Sequence, residues 1–342
     1  MQIKHIKKII KPFSETKANC TKNRSDSFCI SNQNYVFSNI LTEWLKENSI
    51  NTKKSTKDKY SRLINQHIIP ELGSYHLSDL SPEIVNSFIE KKIRTGRLDK
   101  EGGLSPSYVR TMSIIIKSAT EYAIKNNFCD PIHFNIYKPK PEKKVYSILS
   151  ENSFNQFSEY LSAKICPVNL GILLSMYAGL RIGEVCALKW SDIDIDAKFL
   201  HITSTITRIS NTNESSATKT ILKIDNTKTI AGTRNIPIVS NLIKPLEEFV
   251  THKSYFLLTG TESFMSPRTY ENKYHKALND CGIKPVNYHI LRHTFATRCI
   301  QKGVDIKTLS EILGHSDITT TLKIYVHTSP EQKLAEIEKI AF

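Results

Sequence analysis

The chain should fold as mainly α with a small antiparallel β-sheet, an α+β protein in two parts. Apolar residues recur at three- and four-residue spacing along most of its length, while alternating β-branched runs are confined to residues 199–209 and 233–239. A proline- and lysine-rich stretch, 130–144, separates two helical series. At 342 residues the chain also exceeds what one ordinary core supports.

Residues 1–34 are rich in Lys, Asn and Ser without a sustained period and are expected to form a flexible basic tail. From Tyr35, the spacing of Phe37, Ile40, Leu41, Trp44 and Leu45 predicts a first helix. A second is predicted from a cap at Ser55 through Tyr60, Leu63, Ile64, His67 and Ile68, stopped by Pro70 and Gly73. A third opens at Ser81-Pro82 and carries Val85, Phe88 and Ile89; a fourth opens at Ser105-Pro106 and runs to about Asn126. These four helices with the following linker define an expected domain of 35–140, the linker extended because residues before proline avoid the helical region. The second domain, 141–342, should open with a helix capped near Ser150 and running to Ala178, broken by Gly179. A helix over 180–188, strands over 199–209 and 233–239, and further helices with stops at Gly282, Gly303 and Gly314 should follow.

Lysine and arginine number 47 against 33 acidic residues, a net charge of +14 that favours a polyanionic partner, nucleic acid ahead of a membrane surface. The seven cysteines are scattered without a C-x-x-C pair, which suggests neither a disulfide framework nor a zinc ribbon and fits a reducing cytoplasm. No stretch approaches the roughly 20 apolar residues of a membrane span. No G-x-x-x-x-G-K-[ST] loop is present, and Asp192, Asp194 and Asp196 lack the glycine and closing glutamate of a calcium loop, so they read as a turn after Trp190. No cofactor or metal is expected.

Four clusters carry the chemistry: AGLRIGEVCAL at 178–188, NTKTIAGTRNIPI at 226–238, HILRHTFAT at 289–297 and LGHSDITTTLKIYVH at 313–327. Each alone is weak, since a tyrosine on an apolar helix face is usually core. Two arginines, Arg181 and Arg292, have the planar permanent charge suited to a phosphorane-like transition state. His289 and Arg292, three apart, share a helix face. His289 and His293 are four apart but lack the glutamate of a zinc protease; His293 is expected to pack and buttress Arg292. Tyr325 lies ten residues after His315. A phenol with an ordinary pKa near 10 needs cationic and hydrogen-bonding neighbours to become a nucleophile, and His289 and His315 are placed to supply them. Glu184, one turn after Arg181, is expected to hold that arginine or a histidine in place.

In order and spacing these clusters resemble the tyrosine recombinase, or phage integrase, family. The resemblance covers 145–342 in sequence and 35–140 in helical pattern. It implies a SAM-like core-binding domain followed by a recombinase catalytic domain, together a C-shaped clamp on double-stranded DNA. It further implies that Tyr325 forms a 3′-phosphotyrosyl intermediate, with Arg181, Lys228, His289, Arg292 and His315 completing the site. Lys228, on a β-hairpin turn, would be the general acid for the 5′-oxygen, and His289 a proton acceptor or phosphate ligand.

Candidate phosphate contacts are Lys53, Lys54, Lys57, Lys59 and Arg62 at the start of the second helix, with Arg110 and Lys117 on the fourth. The stripe of Leu334, Ile337 and Ile340 marks a short C-terminal helix that needs a docking surface, which the resemblance places on a neighbouring subunit of a homotetramer. DNA-bending or directionality factors are possible partners. The long stretch 205–226 resembles the extended hairpins of conjugative-transposon integrases, whereas the roughly 34 residues before the first helix are short for an arm-binding domain. The reading is therefore a mobile-element recombinase of integrase or excisionase type working through a four-way junction. A Xer-like chromosome-dimer resolvase, a type IB topoisomerase and a non-enzymatic DNA-binding descendant are the alternatives.

Overall fold

A computed structural model describes residues 35–48, 50, 52–129, 135–140, 148–211, 218–226, 232–325 and 338; for 323–325 the description covers the backbone. The basic tail, Lys228, His327 and the apolar stripe of the C-terminal segment lie outside the described residues.

The first core is built by α1 (Phe37–Asn48), α2 (Lys54–Leu63), α3 (Ile69–Leu72), α4 (Pro82–Thr95) and α5 (Pro106–Lys125). Phe37, Ile40, Leu41, Ile89, Val109, Met112 and Ile116 meet in its centre. Each such buried side chain contributes roughly 1.5–3 kcal/mol. Ser81 and Ser105 cap α4 and α5 by accepting from the Ile84 and Tyr108 amides, with proline following each as expected.

Two expectations for the second helix need correction. Ser55 is not its cap: α2 begins at Lys54 after Lys53, which makes no side-chain cap bond. Nor does Pro70 end the helical path, which passes through a π turn, Ile64–Ile68, directly into α3. Proline lacks an amide and its ring collides with the carbonyl four residues back. The wider turn, in which the Ile69 amide donates to Ile64 O, accommodates it, and the path ends at Gly73. Residues 135–140 are folded back on this core through buried Ile136. The Tyr137 amide donates to Asn86 Oδ1 at 2.8 Å and Arg110 Nη1 to Pro139 O at 3.4 Å.

The second core gathers α6 (Glu151–Ala163), α7 (Pro167–Ala178) and α8 (Ile182–Ala187), then β1 (Ile193–Asp194), β2 (Phe199–Ile202), β3 (Ser204–Ser210), β4 (Thr220–Asn226) and β5 (Arg234–Pro237). α9 (Ile243–Phe249), α10 (Pro267–Asp280) and the start of α11 (His289–Gln301) complete it, while the rest of α11 packs with α12 (Ile306–Leu313) in a smaller cluster of Ala296, Leu309 and Leu313, and α13 (Ile318–Tyr325) follows. The single helix expected over 150–178 is two helices. Pro167 forces Cys166 into extended backbone and opens α7, whose buried face goes almost all round, as befits a central helix.

The strand expected over 199–209 also divides, at Thr203. β2 joins an antiparallel sheet of order β1-β2-β5, while β3 turns away and pairs with β4 from Ser204↔Asn226 to Ser210↔Thr220. These paired strands take up most of the described part of the stretch 205–226. Strand β3 lies against α2, where the Ser210 amide donates to Asp58 Oδ2 at 2.7 Å. The aspartates after Trp190 serve a turn: Asp192 Oδ2 accepts from the Lys189 amide and Asp194 Oδ1 from the Ala197 amide.

Candidate active site

The site forms where the ends of α7 and α12 meet the starts of α8 and α11. Gly179 ends α7 at φ 64°, and a Cβ there would lie 2.6 Å from the Phe295 ring, so backbone sign and space both select glycine. Gly314 ends α12 in the same left-handed form, at φ 65°. Each sharp stop delivers the next residues, Arg181 and His315, to one place.

Arg181 is the N-cap of α8. Glu184, at the third helical position, accepts from the Arg181 amide at 2.9 Å and from Arg181 Nη1 at 2.7 Å. The first bond is half of a capping box, so one side chain both starts the helix and orients the guanidinium. Arg181 remains 38% exposed against 3% for Glu184, which rules out an ordinary surface i,i+3 pair and leaves the arginine open to a ligand.

A residue that sequence reasoning did not single out completes this pair. Arg234, at the start of β5, grips Glu184 with Nη1 at 3.1 Å and Nη2 at 2.9 Å, and its Nε donates to Ile312 O at 2.6 Å. Strand parity held the clue: Arg234 shares the inward face with Ile236, an improbable place for an unpaired charge. Burial raises the Glu184 pKa, but the hydrogen bonds and charge of Arg234, then the charge of Arg181, override it and hold the carboxyl at about 2.

Arg292, the largest fully buried side chain among the described residues, lies on α11 and reaches both glycine stops. Nη1 donates to Gly179 O at 2.9 Å, and Nη2 to Leu313 O at 2.6 Å and to His315 Nε2 at 3.0 Å. Arginine only donates, so Nε2 of His315 accepts; its ring proton then sits on Nδ1 and is given to Thr321 Oγ1 at 2.8 Å. Thr321 is one turn before Tyr325 on α13, so His315 links Arg292 to the helix that ends at Tyr325. Burial and then the charges of Arg292, Arg181, Arg234 and His289 hold His315 down to about 4. His289 begins α11 with its amide on Asn287 Oδ1 at 2.8 Å, and its pKa is lowered by desolvation and then by Arg292 and Arg181. Both histidines are therefore neutral near pH 7 and act as hydrogen-bonding neighbours, while the arginines supply the positive charge and suppress a second. A neutral imidazole is what a proton acceptor requires.

His293, expected to buttress Arg292, packs edge-on against His289 at 4.7 Å between centroids. Cys186, beside Glu184 on α8, is a packing thiol whose pKa burial pushes up to about 12. Among the described residues no group of three or more His, Cys, Asp or Glu is placed to hold a metal, and no helix is long and apolar enough to cross a membrane. Tyr325 is the last residue of α13. Of the basic candidates outside this site, Lys53, Lys54, Lys57, Lys59 and Arg62 are exposed around α2. Lys117 pairs with Glu121 at 3.4 Å, and Arg110 is tied to the linker carbonyl already described.

A profile described as the phage integrase family matches residues 148–332, more than half of the chain. The chain belongs to the phage integrase family. It is thus an enzyme of the tyrosine recombinase class. An N-terminal SAM-like domain of phage integrases matches 36–93, which spans α1 to most of α4 in the first core. This integrase-family chain is 27% identical to a XerC-like tyrosine recombinase of Caldanaerobacter subterraneus subsp. tengcongensis, over 90% of the chain and 83% of that relative. It is 22% identical to the ICEBs1 integrase of Bacillus subtilis, over 97% and 87% respectively. The fold of the Tn1549 transposon integrase, solved in complex with transposon right end DNA, superposes with a TM-score of 0.72 at 21% identity, covering 90% of this chain and all of that one.

Proposed function

We propose that this integrase-family enzyme is the site-specific recombinase of a mobile element, acting on double-stranded DNA through Tyr325. The phenolic oxygen attacks the scissile phosphorus, and the bond from phosphorus to the 5′-oxygen breaks as the 3′-phosphotyrosyl bond forms. His289 accepts the phenolic proton, and Lys228 protonates the departing 5′-oxygen. Arg181 and Arg292 stabilise the charge gathering on the non-bridging oxygens. Attack by a 5′-hydroxyl of the second duplex reverses the chemistry; the ester conserves the energy, so neither ATP nor a cofactor is needed. Exchange of two duplexes cuts four strands, one per tyrosine, which calls for four subunits around a four-way junction.

The observation that carries this reading is the buried guanidinium of Arg292. It binds the carbonyls that end α7 and α12 together with His315, and so draws Arg181, His289 and the Tyr325 helix to one centre. The paired strands β3 and β4, and the near-full-length likeness to an integrase of a mobile element, favour integration or excision over chromosome-dimer resolution. The XerC-like relative favours the second reading, which plasmids carrying either element junctions or a dimer-resolution site would separate. The test of the chemistry is a nicked suicide duplex drawn from the DNA flanking the coding sequence. A covalent adduct at the 3′-phosphate, formed in EDTA without ATP, is expected, and a requirement for metal would overturn the mechanism.

A further inference from the structure

Resting on that reading, we infer that Arg234 is a positioning residue for strand transfer, joining Glu184, and through it Arg181, to the carbonyl end of the helix that delivers His315. Four of the five N–H groups of its guanidinium are already spent inside the protein. Nε binds Ile312 O at 2.6 Å, Nη1 binds Glu184 Oε1 and Gly232 O, each at 3.1 Å, and Nη2 binds Glu184 Oε2 at 2.9 Å. With its side chain 5% exposed, it acts through its neighbours and not on the phosphate.

The last carbonyls of a helix have no partner within it and form its negative end. At the end of α12 two arginines share them, Arg234 taking Ile312 O and Arg292 taking Leu313 O. Arg181 and Arg292 are thereby referenced to adjacent peptide units, one by way of Glu184 and Arg234 and the other directly. The separation of the two guanidiniums, which has to match the oxygens of one phosphate, is thus set by Arg234. Its bond to Gly232 O, and its place six residues after Lys228, also fix where the chain re-enters β5 from the segment carrying the general acid. A lysine could not replace it: one ammonium cannot hold both carboxylate oxygens and Ile312 O in the geometry of a planar fork.

The test compares wild type, Arg234→Lys, Arg234→Met and, as a control, Arg268→Lys, an exposed arginine of α10 paired with Glu271 away from the site. Each is given nicked duplexes from the DNA flanking the coding sequence, well below its melting temperature. Binding by gel shift and the single-turnover rate of adduct formation are measured separately. Arg234→Lys is expected to lower the rate about 10- to 100-fold, as loss of a partner behind a site residue typically does, with Kd held within about twofold of wild type. Replacing one non-bridging oxygen by methyl at the scissile phosphate removes a negative charge and lessens the demand on the arginine pair. The deficit should therefore narrow on that methylphosphonate, and Arg234→Met should follow the same pattern if it folds. An Arg234→Lys rate equal to wild type, a deficit unchanged on the methylphosphonate, or parallel losses of rate and binding would each overturn the inference. Failure of wild type itself to form an adduct would instead overturn the function on which it rests, and no variant is needed to see that.

Discussion

Replacing Glu184 by Gln removes one charge from a site where two arginines depend on it. The carboxylate sits at about 2 in the folded chain against an ordinary 4.5, a gap worth about 3 kcal/mol of preference for the ionised form. Glutamine offers a single acceptor oxygen and turns an NH2 toward a guanidinium, so Arg234, its side chain 5% exposed, stays charged, loses one of its four bonds and faces a donor there. Arg181, 38% exposed, can turn to water, and the cost falls mainly on Arg234. Removing one partner of a buried pair typically costs about 3–5 kcal/mol, so melting of the part built on the second core should fall by about 10 °C. The pH dependence fixes the sign. Because the folded pKa is depressed, the stabilisation is complete above 4.5 and is lost as pH falls from there toward 2, and the Gln variant should lack this loss. Calorimetry of wild type, Glu184→Gln, Arg234→Met and the double variant would measure it, with the double expected to cost less than the sum of the singles. A Gln variant within about 0.5 kcal/mol of wild type, the usual span of an inconsequential surface change, or strictly additive singles, would show that Arg234 does not depend on the Glu184 charge.

Thr321→Val keeps shape but removes the acceptor for His315 Nδ1–H, and adduct formation should slow about tenfold, the lower end for loss of a supporting partner, with DNA binding unchanged in a gel shift. Gly179→Ala should lower the melting temperature by several degrees, since a left-handed residue costs about 1–2 kcal/mol before the collision with Phe295 is added. Because His289 titrates below its ordinary 6.5, the rate of adduct formation should be level near neutrality and decline only as pH falls beneath 6.5, checked by single-turnover kinetics across buffers. Replacing exposed Lys54 or Lys57 by Ala should reduce the slope of log affinity against log salt by about 1 each, whereas Arg110→Ala, whose side chain holds Pro139 O, should leave the slope unchanged.

The helical rhythm of the first core was readable because its apolar faces are local in sequence and its starts are marked by Ser-Pro pairs. Pro70 misled because a proline stop assumes an α-helical ladder, and a π turn upstream relieves the clash. Thr203 misled for a different reason: alternation continues unbroken from β2 into β3, and only the tertiary choice of partners sends the strands to separate sheets. In the site, Arg181, Glu184, His289, Arg292 and His315 were legible as residue types at telling spacings. Their division of labour was not, since the neutral state of His315 and its bond to Thr321 follow from which donors face it. Arg234 was hidden because its partners, Glu184 and Ile312, lie 50 and 78 residues away.

Tyr325, at the end of α13, is the residue proposed to become bonded to DNA. Mass spectrometry of protease-digested adduct from a suicide duplex tests it most directly. A nucleotide joined through its 3′-phosphate to the peptide containing Tyr325, and no adduct from Tyr325→Phe, is the expected result. A nucleotide on any other residue, or an adduct that survives Tyr325→Phe, would mean that a different side chain attacks the phosphate.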